Sequence, residues 1–187
     1  MIALKAAKSD LQKLKPIKGG VKETTIVRSL DGLAGTTLAA VCEKNFASES
    51  KREAREQVSY TIQGPKGPLV AASNEVVLYR AGGASEAYSE LMSAVASCPS
   101  SYALAGGNSL SQSQMVPVAH GLASETVALA QYLTQAGDPS VWQIGIYQFH
   151  GNYLTAVYVY NPTLPVGELW ANQLAASAHA QLKVFAG

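Results

Sequence analysis

Histidines are the residues of this sequence best suited to proton transfer and metal binding. His120, His150 and His179 lie far apart, and none has an aspartate or glutamate at the spacing of a catalytic triad or a metal site. The sequence lacks a GxSxG, HExxH or P-loop motif, a GxGxxG that opens a helix, and paired carboxylates. We therefore predict no catalytic residues, no cofactor and no metal ion. Alanine substitutions at the three histidines should change any activity or ligand binding by a few fold at most.

Cys42 and Cys98 are the only cysteines, so the chain can form one disulfide. Closing the loop between them would stabilise the fold by about 4 kcal/mol in the chain-entropy account. Two buried thiols of a cytosolic protein are the alternative, whereas a nucleophilic or metal-binding cysteine has no supporting motif here. We favour the disulfide because Pro99 ends a helix directly after Cys98, which places the thiol where it can fix the helix end.

Aromatic residues are concentrated on the predicted strands or beside them. The group comprises Tyr60, Tyr79, Tyr132, Trp142, Tyr147, Tyr153, Tyr158 and Tyr160. Packing within a sheet explains such residues, because aromatic side chains are enriched in strands. A ligand cleft lined by amphipathic rings and a few polar groups is the functional alternative. The candidate ligand-binding residues are Trp142, Tyr147, Tyr158 and Tyr160.

The composition excludes several classes of protein. Hydrophobic residues make up 48% of the chain and charged residues 14%, with a net charge of +1. This balance is not typical of a nucleic-acid binder, and no apolar run is long enough to cross a bilayer. The opening stretch MIALKAAKSDLQKLKPIKGG contains lysines and no apolar segment, so it is not an intact signal peptide. We expect an exported protein whose leader or anchor is absent from this sequence.

The first half of the chain predicts strands followed by a helix. Residues 1–22 form a helical or flexible N-terminal segment, in which Ser9 caps a short helix. Strands are predicted at ETTIVRSL and in the segment after it, which carries Cys42. Two more strands are predicted, at the beginning and at the end of QVSYTIQGPKGPLVAASNEVVLYR. The charged run SESKREAREQ indicates a solvated face or a mobile loop. The apolar stripe in ASEAYSELMSAVASCP then predicts a helix that lies on a core.

The second half predicts an antiparallel meander and a final helix. Four strands follow one another in QSQMVPVAHG, SETVALAQYLTQ, VWQIGIYQFHG and NYLTAVYVYN, and Gly151-Asn152 marks a tight hairpin. Pro162 and Pro165 introduce the helix, whose inner side carries Trp170, Leu174, Ala178 and Leu182 at i, i+4 spacing. The pattern predicts an α+β fold, an antiparallel twisted sheet with helices packed on it, in one domain over residues 1–187. We expect the face with Tyr147, Tyr158 and Tyr160 to oppose the C-terminal helix or to line a cleft beside it.

The order of these motifs carries a family resemblance over residues 30–185. The segments V-x-Y-x-I, EVVLYR, A-x-x-A-Y-x-x-L-x-x-x-V-x-x-C-P and VWQIGIYQFHGNYLTAVYVYNP follow one another, and an alanine-rich helix ends the chain. This arrangement resembles the PknH-like extracellular sensor domains of actinobacteria, a family of kinase sensor domains and related lipoproteins. The kinase member has two disulfides whereas this chain can form one, so it is more similar to the lipoprotein-type members.

The resemblance implies a non-catalytic, extracellular or cell-surface protein that binds an unidentified small ligand in a cleft. It also supports a bond between Cys42 and Cys98. The partner would be that ligand or a cell-envelope component, with no nucleic acid and no membrane span within this chain.

Two other hypotheses remain open. An enzyme of unrecognised type would use His150 beside Tyr147 and Tyr153. A structural or interaction protein of the cell envelope would instead pair a partner with a sheet edge.

Overall fold

The computed structural model describes residues 21–29, 38, 41–64, 67–137 and 139–186. The short helix predicted from Ser9 lies outside these ranges. Residues 21 and 22 of the predicted N-terminal segment already belong to the first strand.

Strands are the most abundant element of the described chain. They are β1 (Val21–Ser29), β2 (Arg52–Gly64), β3 (Gly67–Tyr79), β4 (Ser101–Ala103), β5 (Ser109–Met115), β6 (Glu125–Thr134), β7 (Val141–His150) and β8 (Tyr153–Asn161). They form one antiparallel sheet in the spatial order β1-β2-β3-β8-β7-β6-β5-β4. The helices of this part of the chain are α1 (Gly83–Ala96) and α2 (Leu164–Ala186). The predicted α+β class, an antiparallel sheet with helices packed on it, is confirmed.

Two predicted reversals of the chain are present. His150 on β7 pairs with Tyr153 on β8, so the hairpin loop is the predicted Gly151-Asn152 dipeptide. Gly151 has φ +58°, a left-handed conformation that such a two-residue turn requires. Gly64 pairs with Gly67 at the other reversal, between β2 and β3.

The strand predicted around Cys42 is wrong, because a 3-10 turn spans Val41–Glu43. Cys42 and Glu43 have φ values of +53° and +57°, which an extended strand does not contain. The charged run is also not a loop throughout. Its first half forms the 3-10 turn Ala47–Lys51, and its second half begins β2.

Helix α1 and the disulfide lie on one side of the sheet, which we call the disulfide face. Ala84, Ala87, Leu91 and Ala94 are buried there, at the predicted i, i+3, i+4 spacing. Their core also contains sheet residues of β3, β6, β7 and β8, namely Val77, Tyr79, Val127, Leu129, Tyr147, Phe149, Leu154, Ala156 and Tyr158. Met92, predicted for the same stripe, is instead 42% exposed.

Helix α2 packs on the opposite side, which we call the α2 face. Trp170, Leu174 and Ala178 are buried as predicted, together with Ala171 and Ala175. The sheet contributes small and branched side chains to this core, namely Ala72, Ala128, Ala130, Ile144, Ile146, Val157 and Val159. The alternation of side chains along each strand therefore supplies two separate cores, one for each helix.

The predicted position of the tyrosines relative to the C-terminal helix is wrong. Val157 belongs to the α2 core, so its neighbours on β8, including Tyr158 and Tyr160, point to the disulfide face. Helix α2 approaches the sheet so closely that a side chain added at Gly167 would overlap Ile144. Branched and small side chains permit this close packing, which a row of tyrosine rings would prevent.

Candidate functional site

Two tyrosines on adjacent strands form the centre of the candidate site on the disulfide face. The rings of Tyr147 and Tyr158 meet edge to face, with centroids 5.7 Å apart and an interplanar angle of 82°. Gly145 is the partner of Tyr158 in the β7–β8 register and leaves the space that the Tyr147 ring occupies. Because residues 145 and 147 lie on the same side of β7, the Tyr147 ring folds back along its own strand.

Substitution of Gly145 by alanine should displace the Tyr147 ring. An alanine Cβ would lie 2.8 Å from Cε2 and 2.9 Å from the hydroxyl of that ring, closer than packed atoms approach. We expect the Gly145→Ala variant to lose about 1–3 kcal/mol of unfolding free energy, the usual range for overpacking. Urea denaturation measures the loss. The double variant Gly145→Ala/Tyr147→Leu, which shortens the side chain, should lose less than the sum of the two single changes. Strict additivity would contradict this account.

A buried ion pair lies next to the tyrosines. Glu75 on β3 is 1% exposed, and the Nε of Arg55 on β2 donates to its Oε1. The hydroxyl of Tyr158 donates to the other carboxylate oxygen, Oε2, at 3.2 Å. Small Ala156 is the register partner of Glu75 on β8, which leaves room for the carboxylate to reach the tyrosine. The carboxylate thus joins three strands of the sheet through one cation and one hydroxyl.

The ion pair continues into neutral side chains of β2 and β3. Nη2 of Arg55 donates to the amide oxygen of Gln57 at 2.9 Å. The amide nitrogen of Gln57 in turn donates to the hydroxyl of Ser73 at 3.3 Å. The polar groups of β2 and β3 therefore hold the Arg55 guanidinium in place.

Burial raises the pKa of each tyrosine hydroxyl in this cluster above its ordinary value. For Tyr158, the Glu75 carboxylate raises the pKa further because it disfavours a second negative charge nearby. The pKa of Tyr160 is raised by the same two causes, and that of Tyr147 by burial, Tyr160 and Glu75. All three hydroxyls are therefore neutral at physiological pH and act as hydrogen-bond groups rather than as charges.

These shifts predict a loss of stability in alkaline solution. A tyrosine whose folded-state pKa exceeds its unfolded value contributes fully below about pH 10, and the contribution is lost as the pH rises further. We expect the free energy of unfolding to fall above about pH 10, with a smaller fall in the Tyr158→Phe variant. Denaturant titrations at several pH values measure the slope, and tyrosinate absorbance reports ionisation. Complete ionisation of all tyrosines near pH 10 in the folded protein would contradict the prediction.

A second buried network surrounds the disulfide. Cys42 and Cys98 are bonded, as predicted, and connect the 3-10 turn to the end of α1. The backbone N–H of Cys42 donates to the hydroxyl of Tyr102 at 2.9 Å. The amide of Gln131, 2% exposed, donates to Tyr102 and to Ser113 at 2.8 Å each. These bonds attach the short edge strand β4 to both the disulfide and the centre of the sheet.

The structure brings together three of the four candidate ligand-binding residues. Tyr147 and Tyr158 are buried at the centre of the cluster, and half-buried Tyr160 lies at its border, next to the hydrophobic cluster around Tyr102. Trp142 lies on the α2 face instead, so it cannot belong to the same site. Trp142 and Tyr147 are an odd number of positions apart on β7, so their side chains point to opposite faces of the sheet.

The histidines take no part in this cluster. His120 and His150 are exposed, the first in a loop and the second at the end of β7. His179 lies on α2 and is buried, with 6% of its surface exposed. Among the residues that the structure describes, no group of three or more His, Cys, Asp or Glu side chains could hold a metal ion.

Sequence reasoning missed the two charged residues of the site. Glu75 lies in the predicted strand that ends at EVVLYR, and Arg55 lies in the charged run SESKREAREQ, which indicates a solvated face or a mobile loop. One signal was available, because a carboxylate inside an otherwise apolar strand has to be paired when that strand is buried. The identity of its partner required the pairing of β2 with β3.

Comparisons with known proteins identify the fold. Neither a known protein family nor a curated protein sequence matches the chain. The extracellular domain of PknH from Mycobacterium tuberculosis superposes with a TM-score of 0.57 over 88% of this chain and 85% of that chain, at 12% identity. A Mycobacterium smegmatis protein described as an Rv0999 ortholog superposes with a TM-score of 0.52 over 95% and 96% of the two chains, also at 12% identity. The predicted likeness to PknH-like sensor domains is confirmed for the fold.

Neither α1 nor the described part of α2 combines the length and the hydropathy that crossing a bilayer demands.

Proposed function

We propose that this chain is an extracytoplasmic, non-catalytic sensor-like domain that binds a small ligand beside the tyrosine cluster of the disulfide face. Its fold is that of an extracellular domain of a kinase, and its disulfide suits an oxidising compartment. The predicted sites Tyr147, Tyr158 and Tyr160 belong to this proposal, and Trp142 does not.

The observation that carries the proposal is the buried polar cluster built on Glu75. A core that needs only stability is built of apolar side chains, and replacing a buried ion pair by such residues is often neutral or stabilising. Here Arg55, Glu75 and Tyr158 form a pre-organised polar group. Half-buried Tyr160 follows Tyr158 on the same face of β8. Small-molecule sites characteristically combine aromatic walls with a few polar groups of this kind.

A library of small molecules tests the proposal on the full chain. Compounds below about 500 Da are grouped as neutral polyols, amines, carboxylates and aromatic compounds, and binding is detected by saturation-transfer NMR. We expect at least one group to bind, with a loss of at least tenfold in affinity in the Tyr160→Ala variant. The matched control is Tyr132→Ala, a half-buried tyrosine that contacts Trp142 on the other face. Absence of binding by every group, or equal binding by both variants, would overturn the proposal.

A further inference from the structure

A polar row crosses the disulfide face on three neighbouring strands. Gln143 on β7 pairs with Tyr160 on β8 on one side and with Gln131 on β6 on the other. Paired residues of adjacent strands point to the same face, so these three side chains lie next to one another. On the far side of Tyr160, its register partner Ala71 is small and exposed. The Tyr160 ring is therefore bordered by a short side chain on its β3 side.

The members of this row differ in what they bind. Gln131 is buried and is occupied by Tyr102 and Ser113. Gln143 and Tyr160 are both half-buried, and the structure gives neither side chain a hydrogen-bond partner in the part of the chain that it describes. Together they offer an amide and a hydroxyl, each of which can donate and accept.

The charge of the cluster restricts the ligand. Arg55 and Glu75 are its charged members, and they neutralise each other through a direct ion pair. The tyrosine hydroxyls stay protonated because their pKa values are raised. An anionic or cationic ligand would lose its hydration without gaining an opposite charge from this group, which is costly.

A neutral sugar matches these groups. Its hydroxyls both donate and accept hydrogen bonds, as the Gln143 amide and the Tyr160 hydroxyl require, and its C–H faces are apolar enough to lie on an aromatic ring. We propose that Tyr160 and Gln143 form the contact site for a neutral saccharide unit. This inference rests on the proposed ligand-binding function and names the class of its ligand.

Sugars that differ in charge alone test the inference. The probes are maltose, trehalose and maltotriose as neutral sugars, glucosamine as the cation and glucuronate as the anion, each titrated into the full chain. We expect the neutral sugars to bind at least tenfold more tightly than either charged sugar. The Tyr160→Ala and Gln143→Leu variants should each lose at least tenfold in affinity for them, whereas Tyr132→Ala should bind like the parent protein.

Two further variants keep the inference falsifiable if a larger truncation impairs folding. Tyr160→Phe retains the ring and removes the hydroxyl, and Gln143→Glu retains the shape and adds a charge. Both should weaken binding of the neutral sugars in protein whose circular dichroism is unchanged. Absence of binding by all three neutral sugars overturns the inference. If a charged sugar or another compound class binds in a Tyr160-dependent way instead, the ligand class is wrong while the proposed function stands.

Discussion

Reduction of the Cys42–Cys98 disulfide is expected to lower the free energy of unfolding by about 4 kcal/mol. The bond joins residues separated by 56 positions, and a closed loop of this length removes much conformational freedom from the unfolded chain. Denaturant titrations of the oxidised and the reduced protein at the same pH measure the difference.

A matched variant separates the bond from the reagent. The double variant Cys42→Ala/Cys98→Ala should unfold at about the midpoint of the reduced protein and should not respond to reductant. An unchanged midpoint after verified reduction would contradict the prediction.

The local effect of reduction should appear at Cys42, whose backbone N–H donates to Tyr102 in the folded protein. We expect faster exchange of that amide hydrogen once the bond is broken, because its loop is then held by fewer constraints.

Removal of the Arg55 guanidinium is expected to cost about 3–5 kcal/mol of unfolding free energy. The Arg55→Met variant keeps an unbranched apolar side chain in place of the arginine stem but leaves the buried carboxylate of Glu75 without its cation. A buried ionised group that loses an ion-pair partner is strongly destabilised, because the interior replaces little of the lost hydration. Chemical denaturation of the variant and the parent protein at neutral pH measures the change.

The control is a double-mutant cycle with Glu75→Gln. The glutamine keeps the shape of the side chain and an acceptor for the Tyr158 hydroxyl, but it carries no charge. The double variant Arg55→Met/Glu75→Gln should therefore recover a large part of the stability that Arg55→Met loses. A cost below about 1 kcal/mol for Arg55→Met, or strict additivity of the two changes, would contradict the prediction.

Local patterns predicted most elements of the fold. The stripe of Ala84, Ala87 and Leu91 predicted α1, and the glycine at position 151 predicted the hairpin between β7 and β8. These signals are local because helix and turn geometry depend on neighbouring residues. The 3-10 turn at Cys42 was missed because it depends on contacts that are not local. Its two left-handed residues are held by the disulfide and by Tyr102, which are remote in the sequence.

The candidate site depended on contacts that local patterns do not contain. Glu75 lies 20 positions from Arg55 and 83 from Tyr158, and both contacts follow from strand register. A shift of one residue in either pairing would turn these side chains to the other face. The sequence therefore shows Arg55 and Glu75 individually but does not show that they form an ion pair.

By itself, the sequence determined the α+β class, the one disulfide that two cysteines allow, and the tyrosines that share a face of β8. Period-two alternation sorts the side chains of a strand into two sets but does not say which helix covers which set. The tertiary structure decided that α2 covers the set with Val157 and that α1 and the disulfide lie on the set with Tyr158. The physical reason is close packing: alanines and a glycine bring α2 against small, branched side chains. The bulky tyrosines remain on the other side, where Glu75 accepts a hydrogen bond from Tyr158.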